Sequence, residues 1–126
     1  MAFFNGVFLD DERYPVDPYW MEYPKGVLWN IIRTYDDFCT LVEDKIDWTD
    51  PPKIFSFDHD IACFDRNGKE QDGYDCLKFL IVYCDIRDIP LPQCVFHSKN
   101  GVGTGNMVSY YNNYLAMKHI DKERFL

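Results

Sequence analysis

The chain is short of positive charge, of long apolar runs and of the short motifs that mark metal or nucleotide sites. Thirteen Lys and Arg stand against 21 Asp and Glu in 126 residues, a formal net charge of −8. That balance excludes general binding to duplex DNA or RNA backbones, which needs clustered cations to neutralise many phosphates. It leaves room for one small phosphate held by a few donors, or for an acidic inhibitor that mimics nucleic acid. No stretch approaches the roughly 18 apolar residues of a membrane span, so no membrane partner is expected. The start, MAFFNGVFLDD, lacks the basic n-region and long apolar core of a signal peptide. Five cysteines, Cys39, Cys63, Cys76, Cys84 and Cys94, are odd in number and show no CxxC spacing. A reducing, cytoplasmic setting follows, and no zinc finger.

What is present suffices for one domain over residues 1–126, because 47% of the chain is hydrophobic and 17% aromatic. Gly6–Leu9 reads as a buried strand stopped by Asp10 and Asp11. Residues 12–25 carry three prolines and four aromatics, which argues against a helix. Residues 26–33 form a second strand candidate, and Thr34 with Asp37 a capping-box pattern before the helical stripe Phe38, Leu41, Val42 and Ile46. Residues 53–57 are a third strand running into Asp58-His59-Asp60. Residues 62–73 are a loop or small hairpin. Asp72 caps a second helix with Tyr74, Leu77, Leu80, Ile81 and Cys84 on its apolar face. Gln93–Phe96 is the fourth strand, and the glycine-rich Gly101–Gly105 opens a last helix whose tyrosines lie at core spacing. Strands joined by crossovers of a dozen or more residues imply a parallel sheet with helices on its faces.

Three of the four strands end in ionisable or hydroxyl groups: Asp10-Asp11, Asp58-His59-Asp60 and His97-Ser98. Ligands of open parallel sheets bind at the carboxyl ends of the strands, so these residues converge in one crevice. One polar strand end needs no explanation beyond termination. Three of them, holding two of the three histidines, point to a site. Two imidazoles facing one phosphoester can serve as base and acid, with Asp58 and Asp60 orienting His59 as counter-charges. Arg13 and Arg33 are the cations best placed to reach an anion there, although either can simply pair with a carboxylate. The glycine segment meets neither GxGxxG nor GK[ST]. It is either a phosphate-binding helix start or a flexible turn. The aromatics of residues 14–23 cover a base or ribose, or form a lid over the sheet edge.

Taken in order, FLDDERYP, FDHDI, GYDCLKFL and HSKNGVGTGNM resemble the cyclic-phosphate-processing receiver-like domains over about residues 7–110. These are stripped-down relatives of response-regulator receivers, found in bacteria and their phages, some near RNA-repair genes. The resemblance implies a small three-layer, receiver-like (flavodoxin-like) α/β fold with a short, mostly parallel four-stranded sheet. It maps the acidic pair to Asp10 and Asp11, the following basic residue to Arg13 and the strand-end arginine to Arg33. The DHD element is Asp58, His59 and Asp60. His97, Ser98, Asn100 and Asn106 complete the later motif, where GVGTG replaces a frequent proline and leaves the shape of the phosphate loop open. The implied activity is phosphoesterase-like, on RNA 2′,3′-cyclic ends or a small cyclic nucleotide. His59 and His97 would be acid and base, with Arg33, Ser98 and the amides near Gly103 holding charge and no cofactor required. A magnesium version uses Asp10, Asp11 and Asp58 as ligands. Two readings compete with it: a non-catalytic factor that sequesters a nucleotide or blocks a host protein, and a degenerate magnesium-binding receiver serving as an interaction module. The lysine that receivers carry after a fifth strand has no place here, and two histidines are surplus to a phosphoacceptor.

Overall fold

A computed structural model describes residues 4–124. Four short strands, β1 (Gly6–Leu9), β2 (Trp29–Ile32), β3 (Ile54–Phe57) and β6 (Gln93–Phe96), form one sheet in the order β2-β1-β3-β6. All three pairings are parallel. The register sets Leu9, Ile32, Phe57 and Phe96 at one level. The residues that follow them, Asp10, Arg33, Asp58 and His97, therefore leave the sheet at one edge. The ladder even extends a step past the strands, with Asp10, Asp58 and His97 each donating a backbone N–H to the neighbouring strand. β2 begins three residues later than expected, since Gly26 takes a left-handed turn (φ +78) that no extended strand accommodates.

Right-handed crossovers decide which layer covers which face. The β1–β2 connection runs one way along the sheet, while β2–β3 and β3–β6 run the other way, so their crossovers lie on opposite faces. α1 (Tyr35–Thr40), α2 (Gly73–Ile86) and α3 (Gly101–Arg124) all pack on the face of Val7, Leu9, Phe55, Phe57 and Cys94. Phe38, Leu41, Val42, Leu77, Leu80 and Met107 complete that core. Burying a side chain of this size contributes about 1.5–3 kcal/mol. The opposite face carries Phe8, Ser56 and His97. Its cover is the proline- and aromatic-rich segment, whose Tyr23 packs edge-on against Phe8 and Trp29. The third layer is thus irregular chain rather than helix.

Helix starts follow the side-chain chemistry. Asp72 and Asp75 form a complete capping box at 2.9 Å each way. Thr34 accepts from the Asp37 amide at 3.1 Å, but Asp37 returns no bond, so only half the expected box forms. After Thr40 the backbone widens into a π-helical turn over Leu41–Lys45. Residues 62–73 do contain a hairpin, β4 (Cys63–Phe64) with β5 (Glu70–Gln71). The last helix runs through Arg124, so no fifth strand follows α3 among the described residues, and residues 125–126 lie outside them. All five cysteines are free thiols. Among the described residues no helix is long and apolar enough to cross a membrane.

Candidate functional site

The strand order reverses between β1 and β3, and at that switch point the side chains of Asp10 and Asp58 stand together, both buried. Above them opens a cleft of about 280 Å³ lined by Asp10, Asp11, Glu12, Arg13, Asp58, Asp60, Ala62, Ser98, Lys99 and Asn100. Five carboxylates face two cations. The sequence Asp-Asp-Glu-Arg makes the first wall because Asp10 Oδ1 accepts the amides of Glu12 and Arg13, both at 2.9 Å, closing a tight turn. Arg33 Nη1 fastens that turn from outside, donating to the carbonyls of Asp10 (3.1 Å) and Arg13 (2.7 Å). It does not line the cleft, so the expected anion-binding arginine is instead a staple. Arg13 does line it, with Nη1 3.4 Å from Asp10 and 3.9 Å from Asp58.

The two buried carboxylates are shifted in opposite directions. Burial works against ionisation of Asp10, but hydrogen bonds from His97 and from the amides of Arg13 and Glu12 outweigh it, bringing the carboxyl to about 2. Asp58 goes the other way. Burial, and then repulsion from Asp10, push it above the usual carboxylate range, which His97, a Ser98 hydrogen bond and Arg13 offset only in part. Burial also raises Asp11. Asp60 is lowered by its hydrogen bond with His59.

Neither histidine lines the cleft. His97 is wholly buried, with Nδ1 2.7 Å from Ser56 Oγ, Nε2 3.0 Å from Asp10 Oδ2, and its ring stacked on Phe8. His59 bonds Asp60 through Nδ1 at 2.8 Å and directs Nε2 toward Asp72 at 3.6 Å. The expectation of two imidazoles facing one phosphoester is therefore not met by this geometry: both stand behind carboxylates. The strand-end positions brought them to the right edge, but the direction of a side chain is not visible in spacing.

Of the two readings of the glycine-rich segment, helix start or flexible turn, the structure has the helix start: Gly101–Gly105 is the first turn of α3. Asn100 caps it, its Oδ1 accepting the Gly103 amide at 2.9 Å, which leaves that amide committed. Asn100 Nδ2 reaches Asp60 at 3.2 Å, joining the helix start to the cleft wall. Gly103 serves packing. A Cβ there would lie 2.4 Å from Cγ of a His59 ring already pinned by Asp60. Gly103→Ala is expected to cost about 1–3 kcal/mol despite alanine's better helix propensity. Denaturant unfolding checks this, and an unchanged midpoint would show that the His59 ring yields freely. Asn106 is exposed on α3, away from the cleft. Lys99, which sequence reasoning does not single out, also lines the cleft; its position between Ser98 and Asn100 in the HSKN motif is the signal for it.

Asp10, Asp58 and His97 each offer one ligand atom within 4.8 Å of the others, a group that could hold a metal ion. His97 Nε2 already engages Asp10, so the donor set open to a cation is carboxylate oxygen, with Asp11 beside it. That chemistry fits magnesium, which favours hard oxygen ligands. No curated protein and no solved structure matches the chain. The family model described as Cyclic-phosphate processing Receiver domain matches residues 5–113. The parallel sheet, the acidic pair at its switch point and this match agree, and the chain belongs to the cyclic-phosphate processing receiver domain family.

Proposed function

We propose that the cleft binds the phosphate of a cyclic-phosphate ligand, an RNA 2′,3′-cyclic end or a small cyclic nucleotide, and opens its ring. The observation that carries this reading is the pair of buried carboxylates, Asp10 and Asp58, at the switch point beneath a cleft walled by Arg13, Ser98 and Lys99. With five carboxylates against two cations, a phosphate is repelled unless more positive charge is supplied. Asp10, Asp11 and Asp58 are the residues to hold a magnesium ion, which supplies that charge and polarises the phosphoryl oxygens. Arg13 and Lys99 add to it from the walls. Lys99 brings from β6 the lysine for which a fifth strand was missing. Ser98 and Asn100 orient the ligand.

Asp58 Oδ1 accepts the His59 amide at 3.0 Å, which leaves Oδ2 open toward the cleft as its ligand atom. Water attacks phosphorus from the open mouth of the cleft and gives up its proton to solvent, so Asp58 serves as a ligand rather than as a base. One ring P–O bond breaks, and the released ribose oxygen takes its proton from solvent at the open mouth. His97 and His59 act as positioning residues behind Asp10 and Asp60. The rim suits a nucleotide: Tyr19 is 84% exposed, and Lys99 Nζ lies 4.6 Å from the Trp20 ring. Bases stack on such aromatic surfaces regardless of sequence.

The test is a short RNA ending in a 2′,3′-cyclic phosphate, incubated with magnesium, with EDTA, and with Asp58→Asn. Ring opening is expected to vanish with EDTA and to fall about a hundredfold or more in Asp58→Asn. Opening that ignores both changes would sink this mechanism. Tight stoichiometric binding without turnover would favour the sequestering factor.

A further inference from the structure

A line of hydrogen bonds, part-buried at Tyr23 and buried beyond it, leads from the aromatic segment to the floor of the cleft. Tyr23 Oη lies 2.6 Å from Ser56 Oγ, and Ser56 Oγ lies 2.7 Å from His97 Nδ1. His97 Nε2 reaches Asp10 Oδ2 at 3.0 Å. Ser56 and His97 are buried, and the imidazole lies flat on Phe8, with centroids 4.3 Å apart and planes 7° apart. Ser56 is the polar residue in an otherwise apolar strand, Ile-Phe-Ser-Phe, on the face opposite the helical core. The same segment grips His97 a second time, through the Trp20 indole N–H donating to its carbonyl at 3.1 Å.

The direction of this line follows from donor and acceptor capacity. Asp10 already accepts two backbone amides on Oδ1 and Arg13 Nη1 on Oδ2, so as an acceptor it takes the hydrogen bond of a protonated His97 Nε2, and Nδ1 is left to accept. Ser56 has one proton, which Nδ1 takes, so Ser56 Oγ must accept from Tyr23. The phenol is kept protonated by burial, which pushes it up to about 12. In the opposite direction the Tyr23 proton would find no acceptor among the described residues. Only one direction satisfies every group, and buried polar groups are costly when unsatisfied.

We infer that Tyr23 and Ser56 are positioning residues for the cleft, bracketing His97 as the Nε2–H tautomer so that its N–H holds the Asp10 carboxylate in place. Asp10 in turn organises the turn that carries Arg13, so the aromatic segment, the cleft floor and the cationic wall form one unit. As a role in ligand handling this rests on the reading above. As a statement about His97 it does not, and its test contains neither substrate nor cation. Its failure is therefore separable from a failure of ring opening.

The experiment is NMR on protein labelled with ¹⁵N, following the His97 ring nitrogens and the amides of Glu12 and Arg13, which donate to Asp10. The parent should show a protonated Nε2 and an Nδ1 shifted by an accepted hydrogen bond. In Ser56→Ala the Nδ1 resonance should move to the position of an unbonded acceptor, and the Glu12 and Arg13 amides should shift with it. Tyr23→Phe keeps the ring packing and should move the same signals part of the way, because removing the terminal donor weakens the next bond in line. Ser56→Thr, which keeps the hydroxyl, should restore them. A parent ring protonated on Nδ1 would overturn the proposal. So would His97 and amide signals that stay put in Tyr23→Phe, the variant that remains informative if Ser56→Ala does not fold.

Discussion

Replacing Gly73 by alanine is expected to destabilise the domain by at least about 3 kcal/mol, the largest loss among its glycine-to-alanine changes. On propensity alone the change should help, since alanine in a helix is favoured over glycine by about 1 kcal/mol. Packing reverses the sign. Gly73 begins α2, donates its amide to the His59 carbonyl at 2.7 Å and lies flush against the chain leaving β3. A Cβ would sit 1.6 Å from the Asp58 carbonyl oxygen and 2.7 Å from its carbon. Both are backbone atoms of a buried strand end, so no side chain can swing aside. Either α2 retreats, opening the Leu77 and Leu80 core, or the Asp58 backbone moves and the cleft with it. Gly105→Ala is the control, because nothing lies within 4 Å of a Cβ there and the residue is exposed within α3. It should stabilise by about 0.5–1 kcal/mol. Urea unfolding of both decides the matter, and a Gly73→Ala protein as stable as its parent would mean that the close docking of α2 on β3 is wrong.

That contrast bears on what a sequence discloses. The four strands, the Asp72 cap and the gathering of Asp10, Asp58 and His97 at one edge were legible, since each depends on local periodicity or on the general rule for parallel sheets. The distribution of roles within the edge was not. His97 reads as a reactive group because histidine titrates near neutrality, yet its ring turns into the sheet, where Phe8, Ser56 and Asp10 surround it. Arg33 reads as an anion ligand, yet two backbone carbonyls claim it. In both cases the competing partners lie 20 or more residues away in sequence and become neighbours only through strand order. The glycine segment was legible as the opening of the last helix, but what fixes it there was not: a capping asparagine and the close approach of His59 to Gly103. Ser56 did carry a signal, a polar residue in a buried strand, which asks at once for a partner.

Removing the charge of Asp10 is expected to abolish the site while separating its structural from its chemical role. Four groups converge on this carboxylate: two backbone amides on Oδ1, and Arg13 Nη1 and His97 Nε2 on Oδ2. Asp10→Ala strands all of them, including a buried imidazole N–H, and should cost about 3 kcal/mol or more. Asp10→Asn keeps one oxygen for the two amides, so the turn survives, but sets an amide NH₂ against the His97 N–H. Its cost should be smaller, about 1–3 kcal/mol. One effect opposes these losses, because neutralising Asp10 relieves the repulsion that raises Asp58. Burial is the larger cause of that rise, so the relief does not reverse the sign. Activity should not follow the same grading. If Asp10 is a cation ligand, both variants should lose ring opening by about a hundredfold or more, and both should lose manganese binding. Asp11→Asn completes the comparison, because Asp11 lines the cleft without a side-chain hydrogen bond to another side chain among the described residues. It should lose cation affinity while its stability stays within about 0.5 kcal/mol of the parent. An Asp11→Asn protein as unstable as Asp10→Ala, or an Asp10→Asn protein that still binds manganese and opens the ring, would show that the acidic pair has been given the wrong division of labour.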